Sequence, residues 1–156
     1  MKRILWLIGF AAAVWGLPRL SHPAVDVGKL DPVETLLLTF EESGVTVETD
    51  TGKKGQGSTF GNAVEDLYRN GDTEIFLDTT ANLLISGEAG ESWEEIYALI
   101  RPSCRICKVE GSVDLKKATE YLSVHKPNLS LNRLRSGLGK RETLRRKEGG
   151  EFLELE

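Results

Sequence analysis

The sequence predicts an α+β domain in which about three helices pack on a mixed β-sheet, preceded by an N-terminal apolar export segment. Two observations carry the fold prediction. Short apolar or alternating stretches typical of strands recur along the chain, and three segments between them place apolar residues at the spacing of one helix face. The 156 residues, 40% hydrophobic and 28% charged, have ordinary globular composition with room for one modest core.

Residues 1–20 are predicted to be an export segment. Lys2 and Arg3 precede an uncharged run from Ile4 to Leu17, which Pro18 ends. The run is shorter than the roughly 20 apolar residues of a membrane span, yet no clear cleavage motif follows it. A cleaved signal peptide and an uncleaved signal anchor therefore both stay open. In either form the rest of the chain leaves the cytoplasm, so we expect an extracytoplasmic protein, membrane-anchored or secreted, at the outer face of the cell or spore inner membrane.

A polar linker, residues 21–32, precedes the domain, which we place at residues 33–136. Segments 35–41 and 45–50 are predicted strands, the first apolar at its centre and the second alternating, with one face toward solvent. The next loop, TGKKGQG at 51–57, lacks the lysine that a phosphate-binding P-loop places after its last glycine, because Ser58 stands there. We interpret this loop as a flexible turn.

Three helices and three further apolar segments follow. Ser58 or Thr59 caps the first helix, the second begins at Ser92 and ends at Pro102, and the third spans 114–125. Segments 74–77 and 104–109 are predicted strands, and the run 83–85 is either a strand or a short helix, because periodicity does not separate the two. The apolar face of the first helix consists of Phe60, Ala63, Val64, Leu67 and Tyr68, and that of the second of Trp93, Ile96, Tyr97 and Ile100.

The charge distribution divides the chain. A net charge of -4 and a pI near 5.4 indicate a soluble acidic body and argue against nucleic acid as a partner. Residues 126–147, however, contain eight basic residues and one acidic residue. We predict that residues 137–156 form a charged, solvated tail, since few apolar residues are present to order it. Its basic residues Arg141, Arg145, Arg146 and Lys147 are candidate contacts for a partner or an anionic membrane surface.

Cys104 and Cys107 have the CxxC spacing of redox and metal sites. Residues three apart on a regular strand face opposite sides, which opposes a simple disulfide between them. A zinc site would need two more ligands, and His22 and His125 are isolated in the sequence. A structural role is the favoured interpretation, and a disulfide or redox pair in the export compartment is the alternative.

The carboxylates Asp72, Glu74 and Asp78 are the remaining candidates for chemistry. Asp and Thr residues satisfy backbone groups where strands end, so turn chemistry accounts for them. We predict no catalytic residue, no cofactor and no metal ligand, and we identify no small-molecule substrate.

The order of these motifs resembles the N-terminal domain of the C subunit of spore germinant receptors, the Ger(x)C family. The motifs are GQGST before a helix containing AVEDL, then EIFLDT, LLISGE and EGSVDLKKAT, within about residues 30 to 125. The positions that match are Gly57, Thr59, Ala63, Leu67, Ile75, Phe76, Leu84, Ile85, Gly87, Glu88, Gly111 and Ala118.

The chain also departs from that family. Family members carry an acylated cysteine directly after the signal and often a histidine after the apolar strand, whereas the first cysteine here is Cys104 and Asp78 takes the place of the histidine. Members are also longer, with further domains. The resemblance implies an extracytoplasmic module of a spore-forming bacterium that docks into a membrane-associated complex.

We therefore expect an exported, membrane-associated, non-catalytic component of spore formation or germination. Its partners would be the membrane, through the N-terminal segment, and other proteins of a membrane complex. The alternative is an extracytoplasmic accessory enzyme, either a thiol redox protein or a hydrolase, that uses Cys104 and Cys107 or Asp78.

Overall fold

The computed structural model describes residues 30–70, 74–146 and 153–156. The predicted export segment and residues 21–29 of the predicted linker lie outside these residues. The described chain forms a mixed β-sheet with helices packed against both of its faces. The predicted α+β fold with a mixed sheet is therefore confirmed.

Nine strands lie in the described residues, and seven of them form the main sheet. Numbered along the chain, they are β1 (Leu30–Pro32), β2 (Thr35–Glu41), β3 (Gly44–Thr49), β4 (Lys54–Gly57), β5 (Glu74–Phe76), β6 (Asn82–Ser86), β7 (Arg105–Glu110), β8 (Glu142–Arg146) and β9 (Leu153–Leu155). The main sheet has the order β4-β3-β2-β6-β7-β8-β9, and β1 pairs with β5 in a separate parallel ladder.

Four α-helices connect these strands in the described part of the chain. They are α1 (Phe60–Arg69), α2 (Trp93–Leu99), α3 (Leu115–Val124) and α4 (Leu131–Arg135). The first three correspond to the predicted helices. Single 3-10 turns occupy Leu77–Thr79 and Gly90–Ser92.

The centre of the sheet consists of the four parallel strands β2, β6, β7 and β8, and antiparallel strands lie on both sides of them. The run 83–85, open between strand and helix in the sequence, lies in β6, where Leu83 pairs with Leu36 and with Ile106. Parallel strands at a sheet centre are covered on both faces and are apolar on both, which explains why this run has no alternation.

The two faces of the sheet support two apolar clusters. Leu36 and Leu38 of β2 pack with α1 and α2 on one face, which we call the α1 face. Leu37, between them in sequence, packs with α3 on the opposite face, which we call the α3 face. The continuously apolar centre of β2 thus supplies both cores from a single strand.

The GQG sequence is a strand and not the flexible turn predicted from its glycines. It forms β4, antiparallel to β3, and α1 packs directly on it. A Cβ atom on Gly55 would lie 2.2 Å from the carbonyl oxygen of Ala63, and one on Gly57 would lie 2.5 Å from its backbone nitrogen. The glycines therefore let the helix backbone approach the strand closely, a role that their turn propensity conceals.

Residues 137–156 are predicted to form a solvated tail, whereas the structure places β8 and β9 there. Leu144 is fully buried in the cluster on the α3 face, with Leu153 and Leu155 packed against that cluster. One buried leucine among charged neighbours is enough to hold β8 in the sheet when its backbone pairs with β7 and β9. Because the segment is rich in basic residues, its composition does not indicate that this strand pairs with β7.

Candidate functional site

The two cysteines lie on opposite faces of β7 and do not form a pair. Cys104, just before the strand, belongs to the cluster on the α1 face, and Cys107 belongs to the cluster on the α3 face. Both side chains are buried, and both thiols are free. Burial raises the pKa of each thiol to about 12. Nucleophilic and redox chemistry uses the thiolate, so this environment suits packing and not reaction.

Asp78 is exposed in the 3-10 turn Leu77–Thr79, while Asp72 lies outside the described residues. The neighbouring Thr79 hydroxyl lies 3.0 Å from the carbonyl oxygen of Val33 and 2.9 Å from that of Phe76, in position to donate to either, as expected for a turn. Burial first, and then the charge of Asp78, raises the pKa of Tyr68. Asp78 thus contributes a negative charge beside an exposed aromatic ring.

The four basic candidates do not form one patch. The Arg141 guanidinium lies over the Trp93 ring, and Arg145 forms an ion pair with Glu156. Arg146 is exposed, and strand alternation places it on the same side of β8 as the buried Leu144. Lys147 lies outside the described residues.

The side chain of Arg141 takes part in a larger arrangement, which we call the arginine–aromatic surface: Trp93, Tyr97, Arg135 and Arg141. The Trp93 and Tyr97 rings stack with their centroids 5.8 Å apart. Arg135 Cζ lies 5.2 Å from the centroid of Tyr97, and Arg141 Cζ lies 4.9 Å from that of Trp93. Both distances are within the range of cation–π attraction.

Local structure explains how the four side chains meet. Trp93 and Tyr97 are one helical turn apart on α2, whose Ile96 is fully buried against the sheet. Ser130 caps α4 by accepting from the backbone N–H of Arg133, and this short helix carries Arg135. Arg141 precedes β8 directly. The aromatic pair is visible in the sequence as an i, i+4 repeat, but the two arginines come from distant segments and only the fold brings them to the rings.

The described residues contain no group of three or more His, Cys, Asp or Glu side chains placed to hold a metal ion. In the same part of the chain, no helix has the length and apolar character needed to cross a membrane.

No model of a known protein family matches the chain, and no curated protein or solved structure matches it either. The resemblance to Ger(x)C proteins therefore stays a prediction.

Proposed function

We propose that this chain is an exported, membrane-associated component of spore formation or germination that acts by docking onto a protein partner and does not catalyse a reaction. The arginine–aromatic surface is the observation that supports docking. The apolar run at residues 4–17 supports export, and the motifs between residues 30 and 125 support the biological setting.

The composition of the arginine–aromatic surface suits binding. Tryptophan, tyrosine and arginine are the residue types that most often dominate the binding energy of protein interfaces. Aromatic side chains offer a large contact area while losing little conformational entropy. The Trp93 and Tyr97 rings stack on each other next to the buried Ile96, so their positions are set before a partner arrives.

The charge of the surface favours an acidic partner. Between Lys126 and Arg141 the sequence has five basic residues and no acidic one. Within the described residues, neither Arg135 nor Arg141 forms an ion pair with a carboxylate. Each guanidinium carbon lies over a ring, and the N–H groups of a guanidinium can bind a carboxylate in bidentate fashion. The occupant we assign is a protein segment rich in Asp and Glu.

The alternative, an accessory enzyme, requires a thiolate or a carboxylate that a substrate can reach in a reactive form. Cys104 and Cys107 are buried as protonated thiols, and Asp78 adjoins a tyrosine in a turn. No observation on the described residues favours this alternative. Cys107→Ser or Asp78→Asn proteins that fold normally but fail to replace the native protein in cells would revive it.

Site-specific photocrosslinking in the native host tests the proposal. Benzoylphenylalanine replaces Tyr97 in one strain and Tyr68 in the control strain, because Tyr68 is an exposed aromatic residue of α1 beside Glu74 and Asp78. We expect an adduct only at position 97, with a peptide rich in Asp and Glu, and we expect Arg141→Glu to abolish it. The proposal would be contradicted by an adduct of equal yield at both positions or by an adduct whose yield Arg141→Glu does not change. It would also be contradicted by an adduct to a second copy of this chain or by the absence of any adduct.

A further inference from the structure

A cavity of about 320 Å³ opens at the edge of the sheet where the parallel strands β2, β6 and β7 begin. Asn82 and Arg105 are the first residues of β6 and β7, and Glu34 directly precedes β2. Arg101, from the loop after α2, and Lys126, from the loop after α3, complete the charged lining. Leu122 of α3, which is fully buried, contributes an apolar part of the wall.

The lining has three cations and one carboxylate. In the part of the chain that the structure describes, none of these cations is ion-paired. The Nε atom of Arg101 donates to the carbonyl oxygen of Thr80 at 2.7 Å, and Nη1 of Arg105 donates to that of Asn128 at 3.1 Å. Each guanidinium is thus held by one neutral acceptor while its other N–H groups stay available for a ligand.

Asn82 adds an uncharged hydrogen-bond donor to this charged lining. Its side chain lines the cavity, although the residue is only 3% exposed. The amide Nδ2 has one acceptor, Thr35 Oγ1, at 3.5 Å, which is at the limit of a hydrogen bond. The second N–H of this Nδ2 group has no acceptor among the described residues, so it can donate to a ligand in the cavity.

Helix electrostatics explain only part of this arrangement. Arg101 and Lys126 each lie two residues beyond the last residue of a helix, where cations are stabilised by the negative end of the dipole. That effect accounts neither for Arg105, which begins a strand, nor for the poorly hydrogen-bonded amide of Asn82. An anion held by the three cations and by the Nδ2 group of Asn82 accounts for all four residues.

We infer that this cavity binds a phosphate group. Guanidinium groups bind phosphate oxygens in bidentate fashion, and the lining has an excess of two positive charges, which attracts an anionic phosphate group. The volume leaves space for an organic moiety attached to the phosphate. A phosphomonoester in solution and the headgroup of a phospholipid share this chemistry.

The position of the cavity favours the lipid as the source, a point that rests on the proposed membrane association. Glu34 follows β1 closely, and β1 is fixed to the domain by its pairing with β5 and by an ion pair between Asp31 and Lys53 at 2.9 Å. The nine residues 21–29 separate β1 from the predicted export segment and reach at most about 30 Å when extended. An anchored chain would therefore keep this edge of the sheet near the headgroups.

Acetylation of Lys126 in the full-length chain tests the inference, with Lys116 as the control because it is exposed on α3 and lies outside the cavity. Rates are measured by mass spectrometry in a phosphate-free maltoside detergent, with glycerol 3-phosphate or with chloride at equal ionic strength. We expect glycerol 3-phosphate to slow acetylation of Lys126 about tenfold, because a bound anion favours the unreactive protonated amine. Arg105→Gln should remove this protection, and Arg69→Gln should not.

A third sample, the full-length chain in phosphatidylglycerol nanodiscs without added phosphate, distinguishes the sources. Protection of Lys126 there supports the lipid headgroup. Protection by glycerol 3-phosphate but not by the nanodisc supports the phosphate site and overturns the lipid source. If the acetylation rate of Lys126 changes in parallel with that of Lys116 in every sample, the phosphate site itself is overturned. Failure of the docking proposal would appear at Tyr97 and Arg141 instead, so the two failures are distinguishable.

Discussion

The guanidinium of Arg141 lies over the indole ring of Trp93, with 4.9 Å between Cζ and the ring centroid, and this contact joins the start of α2 to the start of β8. We predict a coupling of about 0.5–1 kcal/mol between Arg141→Ala and Trp93→Leu, the range of exposed cation–π pairs. A double-mutant cycle of urea unfolding measures it. The matched cycle with Arg146→Ala should give no coupling, because Arg146 lies on the other side of β8. Equal values in both cycles would mean that the contact contributes nothing to stability.

Gly55→Ala should destabilise the fold by about 1–3 kcal/mol, the cost of overpacking a close contact. The added Cβ would lie 2.2 Å from a backbone oxygen of α1 and 2.5 Å from a backbone nitrogen, so strand and helix must separate. Gly61→Ala is the control, since its Cβ would meet only side-chain atoms, the end of Glu95 at 3.3 Å and the Thr59 hydroxyl at 3.8 Å. Chemical unfolding of both variants is the measurement. A Gly55→Ala protein as stable as Gly61→Ala would contradict the close packing of α1 on β4.

Leu144→Ala should lower the free energy of unfolding by about 2–5 kcal/mol, as for other buried leucines. Leu144 is fully buried beneath α3, whereas Arg146 on the same strand is exposed. Arg146→Ala should therefore change stability little. If thermal or urea unfolding gives the two variants the same small effect, the segment behaves as the solvated tail that its composition predicts and β8 is not part of the core.

Cys104 and Cys107 should resist maleimide labelling at pH 8 in the folded protein and react at once in denaturant. Each folded pKa is about 12, so both thiols are protonated at pH 8, and burial also blocks the reagent. Because the folded pKa lies above the unfolded value, the thiols favour folding below about pH 8.5 and lose that contribution as the pH rises toward 12. Rapid labelling of the native protein at pH 8 would place at least one thiol in a reactive setting.

Much of the fold could be predicted because local patterns and tertiary packing agree. Leu36, Leu37 and Leu38 show the continuous apolar character of a strand buried on both faces. Ile96 marks the buried side of α2. At β4 and β8 the two disagree. Gly55 and Gly57 indicate a turn by propensity, yet they permit helix packing that no local pattern encodes. Leu144 is a single apolar residue among charges, and its burial depends on pairing with β7, distant in sequence.

The candidate site could be predicted only in part for the same reason. Trp93 and Tyr97 are recognisable as neighbours on one helix, and Arg141 is recognisable as a candidate contact residue from its basic surroundings. Their contact, and the approach of Arg135, depend on how α4 and β8 pack beside α2. The phosphate cavity has no sequence motif, because Asn82, Arg101, Arg105 and Lys126 meet only where three parallel strands begin.

The most direct test of the docking account is complementation of a gene deletion in the native spore-forming host, with spore yield, heat resistance and germinant response as readouts. We predict that deletion impairs at least one of these, that Arg141→Glu fails to restore it at normal protein levels, and that Arg146→Glu, with the same charge change on the other side of β8, restores it fully. An unimpaired deletion strain, or full restoration by Arg141→Glu, would contradict the account.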